Sequence, residues 1–361
     1  MAEVFELAMM PASEGDCLIL TYGVPGDLHS IVVDLGRTAN YKANKSALAA
    51  LQQVELFVIS HIDADHIEGA MLMVREPTAP ISPRDVWFNA YHHLIEARDA
   101  IHQEFETFSA KQGETLSLGI RKFGWHWNAR TGGGPVTIES LPEPVELAGG
   151  LTIRLLSPDN QKLSELEPLW ATELKEAGLR PFDPDKAEPA LDDGIELFGA
   201  IDVEQLAAKP FLPDKTKPNG ASIAFVAEYK GKRAMLLADS HPGIIVSQVE
   251  KLASQEPGGR YRVDLLMVSH HGSAANTSPR LLERIDCTRF AFSTNGTHHG
   301  HPNRETIARI LTMDMVRHKQ LYFNFDQDST SIWNLASLKS KWNFETLFPA
   351  AGDNGRLTIT I

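Results

Sequence analysis

The strongest constraint in this chain is a four-residue apolar run, Leu56-Phe57-Val58-Ile59, that ends directly in Ser60-His61-Ile62-Asp63-Ala64-Asp65-His66. A short continuous apolar run reads as a strand covered on both faces, because a half-exposed strand alternates apolar with polar residues. Such a strand belongs inside a layered α/β fold. At its C-terminal end, four imidazole and carboxylate side chains fall within six positions. Any one of them reads equally well as an ordinary loop residue, Asp65 for instance as a cap on a helix over 65–74. Four together read as a cation site, since these groups are the usual donors for zinc and, with more oxygen, for manganese. His61 and Asp63, two apart, can point to one ion, and the adjacent Asp65 and His66 to a second.

The remaining pattern supplies the layers. Apolar runs at 4–10 and 17–22 flank the turn-like Ser13-Glu14-Gly15-Asp16, and a third at 29–35 ends at Asp34 and Gly36. The spacing predicts helices over 44–53 and 91–111, and strands at 85–89 and within 136–156. Residues 157–218 mix helix-like segments with prolines and acids and read as an insertion or lid over the core of one domain spanning 1–361. Order returns with a hairpin, 221–229 and 233–238, turning at Lys230-Gly231-Lys232. A helix at 244–254, a strand at 263–269, a helix at 279–285, a strand at 289–293 and a last strand at 356–361 complete the chain. Strands first, then strands alternating with helices, suit two packed sheets with helices outside.

Several function classes recede on composition. The formal net charge is −13 over 361 residues, which argues against a broad basic surface for nucleic acid. It leaves room for a nucleic-acid substrate at one cleft, because bound divalent metals invert the local potential. No apolar run has membrane-spanning length, and the N-terminus lacks a basic segment followed by an apolar one, so a cytoplasmic protein without a membrane contact is expected. The two cysteines, Cys17 and Cys287, lie in no thiol motif and are expected to be reduced.

The string Ser60-His61-Ile62-Asp63-Ala64-Asp65-His66-Ile67-Glu68-Gly69 resembles the H-x-H-x-D-H signature of the metallo-beta-lactamase superfamily, with Asp63 in place of the second histidine. That variant is most similar to the hydrolase domain of the bacterial competence DNA-uptake protein and its soluble relatives. Other motifs follow in the same order: Gly15-Asp16, Ile31-Val32-Val33-Asp34-Leu35-Gly36, Leu236-Leu237-Ala238-Asp239 with Ala238 where Gly is usual, His270-His271-Gly272-Ser273, and Gly300-His301-Pro302. The resemblance implies an αββα sandwich with a middle insertion. It implies metal ligation by His61, Asp63, Asp65, His66, a bridging Asp239 and His271, with Asp34 supporting the metal loop. His270 then faces substrate, binding an anionic oxygen or protonating a leaving group; it and Asp65 are the catalytic candidates, and Ser273, His301 and Asn219 are candidate substrate contacts. His301 alternatively reads as a further ligand or a surface histidine. Asn219 stands where many members place a histidine, and His241 is an unusual substitute. The site formed by His61, Asp63 and Asp239 is therefore expected to be the weaker of two.

The donor residues alone predict a metal-dependent hydrolase, with two divalent ions, zinc or manganese; the resemblance implies that it acts on a phosphodiester, with DNA or another nucleic acid as substrate. A small phosphoester or signalling nucleotide is the alternative substrate. A different class of role is a low-turnover sensor in a bacterial multiprotein system such as antiviral defence, which implies a protein partner.

Overall fold

The computed structural model describes residues 3–101, 113–176 and 201–361. Its first sheet holds β1 (Val4–Met9), β2 (Leu18–Val24), β3 (Asp27–Val33), β4 (Val54–Val58) and β5 (Val86–Trp87). The second holds β6 (Val145–Glu146), β7 (Thr152–Ser157), β8 (Ala224–Tyr229) and β9 (Lys232–Leu236), a hairpin pair at its centre. A two-stranded ribbon pairs β10 (Tyr261–Arg262) with β12 (Ile285–Asp286). The second sheet continues with β11 (Leu265–Met267), β13 (Arg289–Phe292), β14 (Lys319–Phe323) and β15 (Phe344–Leu347), while β16 (Leu357–Thr360) returns to the first. The orders are β16-β1-β2-β3-β4-β5 and β15-β14-β13-β11-β9-β8-β7-β6. Strands β3, β4 and β5 run parallel, as do β9, β11, β13, β14 and β15.

Three apolar layers hold these sheets, and side-chain alternation decides which residue enters which. Leu56 and Val58 of β4 face the second sheet, meeting residues such as Phe225, Leu236 and Met267. Phe57 and Ile59 point the other way, among Met73, Leu94 and Ile120 of the outer helices. Burial on both faces is what a continuous apolar run requires, and each such side chain contributes about 1.5–3 kcal/mol by leaving water. The helices on this side are α1 (Thr38–Ala49), α2 (Ala64–Arg75), α3 (Tyr91–Ile101), α4 (Gly113–Lys122) and α5 (Asn160–Glu176). On the far side, after the short α6 (Val203–Ala207) and α7 (Lys217–Gly220), come α8 (Pro242–Ala253), α9 (Pro279–Arg284) and α10 (Arg304–Met313). Val249, Leu281 and Ile307 of these helices pack on Met235, Leu266 and Phe290. The αββα sandwich expected from the sequence is the observed architecture.

Two differences from the sequence expectation have local causes. Helix α1 begins at Thr38, six residues ahead of the expected start, because Asn40 Oδ1 accepts the Arg37 N–H at 3.1 Å and closes a polar first turn with little apolar periodicity. The expected 91–111 helix is seen as Tyr91–Ile101, its remainder lying outside the described residues. Within 157–218, α5 packs on α3 through Trp170 and Tyr91, and α6 packs on α10. Residues 177–200 lie outside the described part. Among the described residues, no helix is long and apolar enough to cross a membrane.

One buried histidine of this scaffold has a testable consequence. His93, 1% exposed, accepts the Ala90 N–H at Nδ1 and donates from Nε2 to the Gly133 carbonyl. Burial, reinforced by neighbouring His92, lowers its pKa from 6.5 to about 3. The unfolded chain therefore binds the extra proton between these values, and stability falls as pH falls through that window. The wild-type slope is expected to exceed that of His93→Gln by up to about 1.4 kcal/mol per pH unit below 6.5. Urea unfolding of both proteins at stepped pH measures the difference, and parallel slopes would contradict it.

Candidate metal centre

The parallel strands deliver their C-terminal ends to one edge of the sandwich. β4 runs into Ser60 and His61, β9 into Asp239, β11 into His270 and His271, and β13 into Ser293. The Ser60 carbonyl accepts the Ile223 N–H at 2.9 Å, tying the β4 loop to the start of β8 in the other sheet. Helix α2 then begins with Asp63 as its N-cap residue, but the Asp63 side chain makes no capping hydrogen bond. Its carboxylate instead lies 3.5 Å from His61 Nε2. The N-terminal end of the helix dipole favours the negative charge of both Asp63 and Asp65.

Each converging imidazole has its Nδ1 side occupied by the protein. His66 Nδ1 sits 2.8 Å from Asp34 Oδ2, and Asp34 is itself fixed by the Ser60 N–H at 2.8 Å and the Ser60 hydroxyl at 2.6 Å. His271 Nδ1 donates to the Ser293 carbonyl at 2.9 Å, and His61 Nδ1 lies 3.0 Å from Ser60 Oγ. Holding Nδ1 in this way fixes the ring and leaves Nε2 for a cation. The Nε2 atoms do converge: His66 and His271 are 3.3 Å apart, and both lie within 3.7 Å of Asp65 Oδ2. Asp239 Oδ2 is 3.7 Å from His61 Nε2 and 3.6 Å from His66 Nε2, while its Oδ1 is 3.7 Å from His271 Nε2.

Ligands sharing a tetrahedral ion at bond lengths of about 2.0–2.1 Å stand roughly 3.4 Å apart. Two overlapping donor sets meet that spacing, His61 with His66 and Asp239, and Asp65 with His66 and His271. His61 Nε2 and Asp239 Oδ1 are buried, and neither has a hydrogen-bond partner among the described residues. Unpaired buried polar atoms carry a desolvation cost that a cation removes. The residues present therefore fit a divalent ion. Facing sheets between helix layers, with this donor cluster in this chain order at the strand ends, settle the architecture. The chain is an αββα sandwich that carries this donor cluster at the ends of its parallel strands.

No protein-family profile matches the sequence, and no curated protein does. Solved structures similar to it include the metallo-beta-lactamase fold protein YhfI from Bacillus subtilis, 12% identical over 99% of each chain with a TM-score of 0.42. Zn(2+)-bound PqqB from Methylobacterium extorquens is 12% identical over 96% of this chain and 87% of that one, TM-score 0.39. A long form RNase Z from yeast is 8% identical over 79% of this chain and 36% of that one, TM-score 0.35.

Within this sandwich, local backbone explains which neighbour faces the pocket. His270, His271 and Gly272 take left-handed φ values of 49°, 53° and 91° in succession. This tight turn aims two adjacent imidazoles into one pocket, at about 1–3 kcal/mol of strain for each non-glycine residue. A Cβ on Gly272 would come within 2.5 Å of Pro302, so only glycine completes the turn. A Cβ on Gly15 would fall 1.9 Å from the Asp65 carbonyl oxygen, which is the physical content of the Gly15-Asp16 motif. Ala238 has φ 43°, and that is why the resembling motif carries glycine there.

Charge in the cluster is mutually compensating. Burial raises the Asp65 and Asp239 carboxyls, but His66 and His271 outweigh it for Asp65, as do His270, His271 and His66 for Asp239, so both end below the usual range. His66 is lowered by burial yet held well above its ordinary value by Asp239, Asp65 and Asp34. Asp16, buried behind His271 with Oδ1 unpaired and 3.8 Å from its Nδ1, is pushed upward by burial.

The other expected residues fall into two groups. His270 Nε2 reaches the pocket, 3.6 Å from Asp239 Oδ2, and His301 lies beside it, ring centroids 5.3 Å apart, its Nδ1 buried and unpaired. Asn219 and Ser273 are buried and tied inward. The Asn219 amide donates to Asp214 Oδ2 at 2.7 Å, and Ser273 Oγ accepts the Ala275 N–H at 3.2 Å. His241 donates to the Thr216 carbonyl and does not fill the position of Asn219. Ser60, Ser293, Asp214 and Asn276 were not singled out from the sequence. Each sits in an irregular or strand-end segment with no spacing signal, so only the folded chain shows them at the site.

Proposed function

We propose that this chain is a metal-dependent phosphodiesterase that cleaves nucleic acid, DNA foremost, using two divalent cations of the zinc or manganese type. The observation that carries this reading is the convergence of the His61, His66 and His271 Nε2 atoms with the Asp63, Asp65 and Asp239 carboxylates. Three carboxylates among six donors make an oxygen-rich set, suited to the harder cations that also bind phosphate oxygens. The resemblance of the Asp63-containing motif to the competence hydrolase domain supports a polynucleotide substrate.

His61, Asp63 and Asp239 would hold one cation, and Asp65, His66, Asp239 and His271 the other. Bound there, divalent cations supply Lewis acidity that makes water nucleophilic near neutral pH and offsets charge on phosphoryl oxygens. The protein contributes orientation. Asp34 and the Ser293 carbonyl hold the Nδ1 atoms of His66 and His271, so neither ring turns when substrate enters. His270 presents Nε2 at the pocket wall, where a proton can pass to the leaving oxygen. His301 offers its free Nδ1 beside it to a phosphate oxygen.

The test is a metal-by-substrate screen. Zinc-, manganese- and magnesium-loaded protein would be assayed on plasmid, single-stranded oligonucleotides, bis(p-nitrophenyl) phosphate and nucleotide monoesters. Cleavage of the polynucleotides is expected. Turnover of monoesters alone would replace the nuclease reading with a small-phosphoester one, and metal-replete protein inert on every phosphoester would overturn both.

A further inference from the structure

His270 is gripped from outside the metal cluster by a segment that no motif marks. The Asp214 carboxylate is the hub of that grip. Its Oδ1 accepts the Thr216 N–H and hydroxyl, both at 2.8 Å, and its Oδ2 accepts the Asn219 amide at 2.7 Å and the Asn276 amide at 3.0 Å. The Asp214 N–H in turn donates to the Ala275 carbonyl at 3.1 Å. The segment before it is pinned to α10, through Lys209 to Glu305 at 2.6 Å and the Arg309 guanidinium over the Phe211 ring at 5.3 Å.

Asn276 translates this hub into an imidazole orientation. Its Nδ2 faces three acceptors, Asp214 Oδ2, the Asp239 carbonyl at 3.1 Å and the Ser240 carbonyl at 3.3 Å. The amide nitrogen must therefore lie on that side, and Oδ1 must be the atom 3.0 Å from His270 Nδ1. An oxygen there accepts, so His270 Nδ1 carries a proton. The Asn219 amide gives one proton to Asp214 and stands 3.4 Å from the same nitrogen, farther than Asn276 Oδ1 at 3.0 Å. Asp214 Oδ2, 3.6 Å from His270 Nδ1, adds a negative charge on the protonated side. With Nδ1 fixed, Nε2 is directed at the pocket.

We propose that Asp214 is a positioning residue, its carboxylate helping to hold Asn276 and His270 so that Nδ1 stays protonated and Nε2, facing the substrate, is the nitrogen that exchanges a proton with it. This rests on the phosphodiesterase reading for its catalytic consequence, but not for its structural one. The segment over 209–216 is thereby part of the active site and not a spacer. Asp214→Ala removes the charge behind His270 Nδ1 and the shortest of the three hold points on the Asn276 amide, leaving the metal donors untouched.

Two readouts on the full chain test this. In protein with 15N-labelled histidine, the His270 Nδ1–H signal should be present in the wild type and lost in Asp214→Ala. On bis(p-nitrophenyl) phosphate, kcat should fall about 10–100-fold with KM and bound zinc per chain unchanged, the scale seen when a partner behind an active-site imidazole is removed. Asn276→Ala, which leaves the 209–216 segment in place, should reproduce both effects and serves if Asp214→Ala does not fold. A retained Nδ1–H signal with kcat within twofold of wild type would overturn the proposal, as would loss of zinc, which would make Asp214 a support of the metal instead. If the wild type hydrolyses no phosphodiester, the functional reading fails while the Nδ1–H signal still decides the positioning role.

Discussion

Asp65→Ala combined with His66→Ala is expected to strip the metal from this protein and slow hydrolysis at least about a thousandfold, the scale of losing a principal electrostatic stabiliser of the transition state. The geometry concentrates the loss in these two residues. Both residues belong to the second proposed cation site, and His66 lies at the middle of the cluster, its Nε2 3.3 Å from His271 Nε2 and 3.6 Å from Asp239 Oδ2. Asp65 completes the set with His271 at 3.6 Å. Elemental analysis after purification reports the metal, and the phosphodiester assay reports the rate. Because His66 is fully buried, the milder Asp65→Asn serves as a control that keeps the packing, and it should lower metal occupancy by itself. Unchanged activity in the double variant would assign the hydrolysis to a contaminant.

Asp34→Ala carries the second large effect, although Asp34 has no place in the proposed ligand set. This aspartate is completely buried and accepts from the Ser60 N–H, the Ser60 hydroxyl and His66 Nδ1. Removing it leaves a buried imidazole that Asp34 helps to hold charged, together with an unpaired amide. Breaking one side of a buried charge pair costs about 3–5 kcal/mol. Freed of its anchor, His66 can also rotate its Nε2 out of the cluster, which should weaken metal binding about 10–100-fold. Denaturant midpoints of the metal-free protein measure the first effect and a competitive chelator titration the second. Lower stability with wild-type metal affinity would mean that other contacts orient His66.

The sandwich was legible because its signals are local. The alternation of Leu56 and Val58 inward with Phe57 and Ile59 outward follows from a continuous apolar run, and the 224–236 hairpin follows from its Lys230-Gly231-Lys232 turn. Strands β14 and β15 carried no such signal. The first opens on Lys319 and Gln320, and the second is a four-residue edge strand, too short for a period to show. Lys319 is buried only because its ammonium caps the carbonyls at the end of α10, a partner that lies outside its own strand.

The sequence by itself determined the donor types and their attachment points. A polar cluster placed directly after an apolar strand has nowhere to go but the strand's C-terminal edge, so His61, Asp63, Asp65 and His66 were findable from spacing alone. Only the tertiary structure decided how the distant pieces divide the work. Three successive left-handed residues turn His271 towards Asp65 and His66 and His270 towards Asp239, and neighbouring histidines in a sequence carry no mark of that. Asp214, Asn276 and Ser293 act across gaps of 6 to 62 residues. Their roles come from strand ends and a pinned segment brought to one edge, because a hydrogen bond constrains distance in space and leaves no periodicity along the chain.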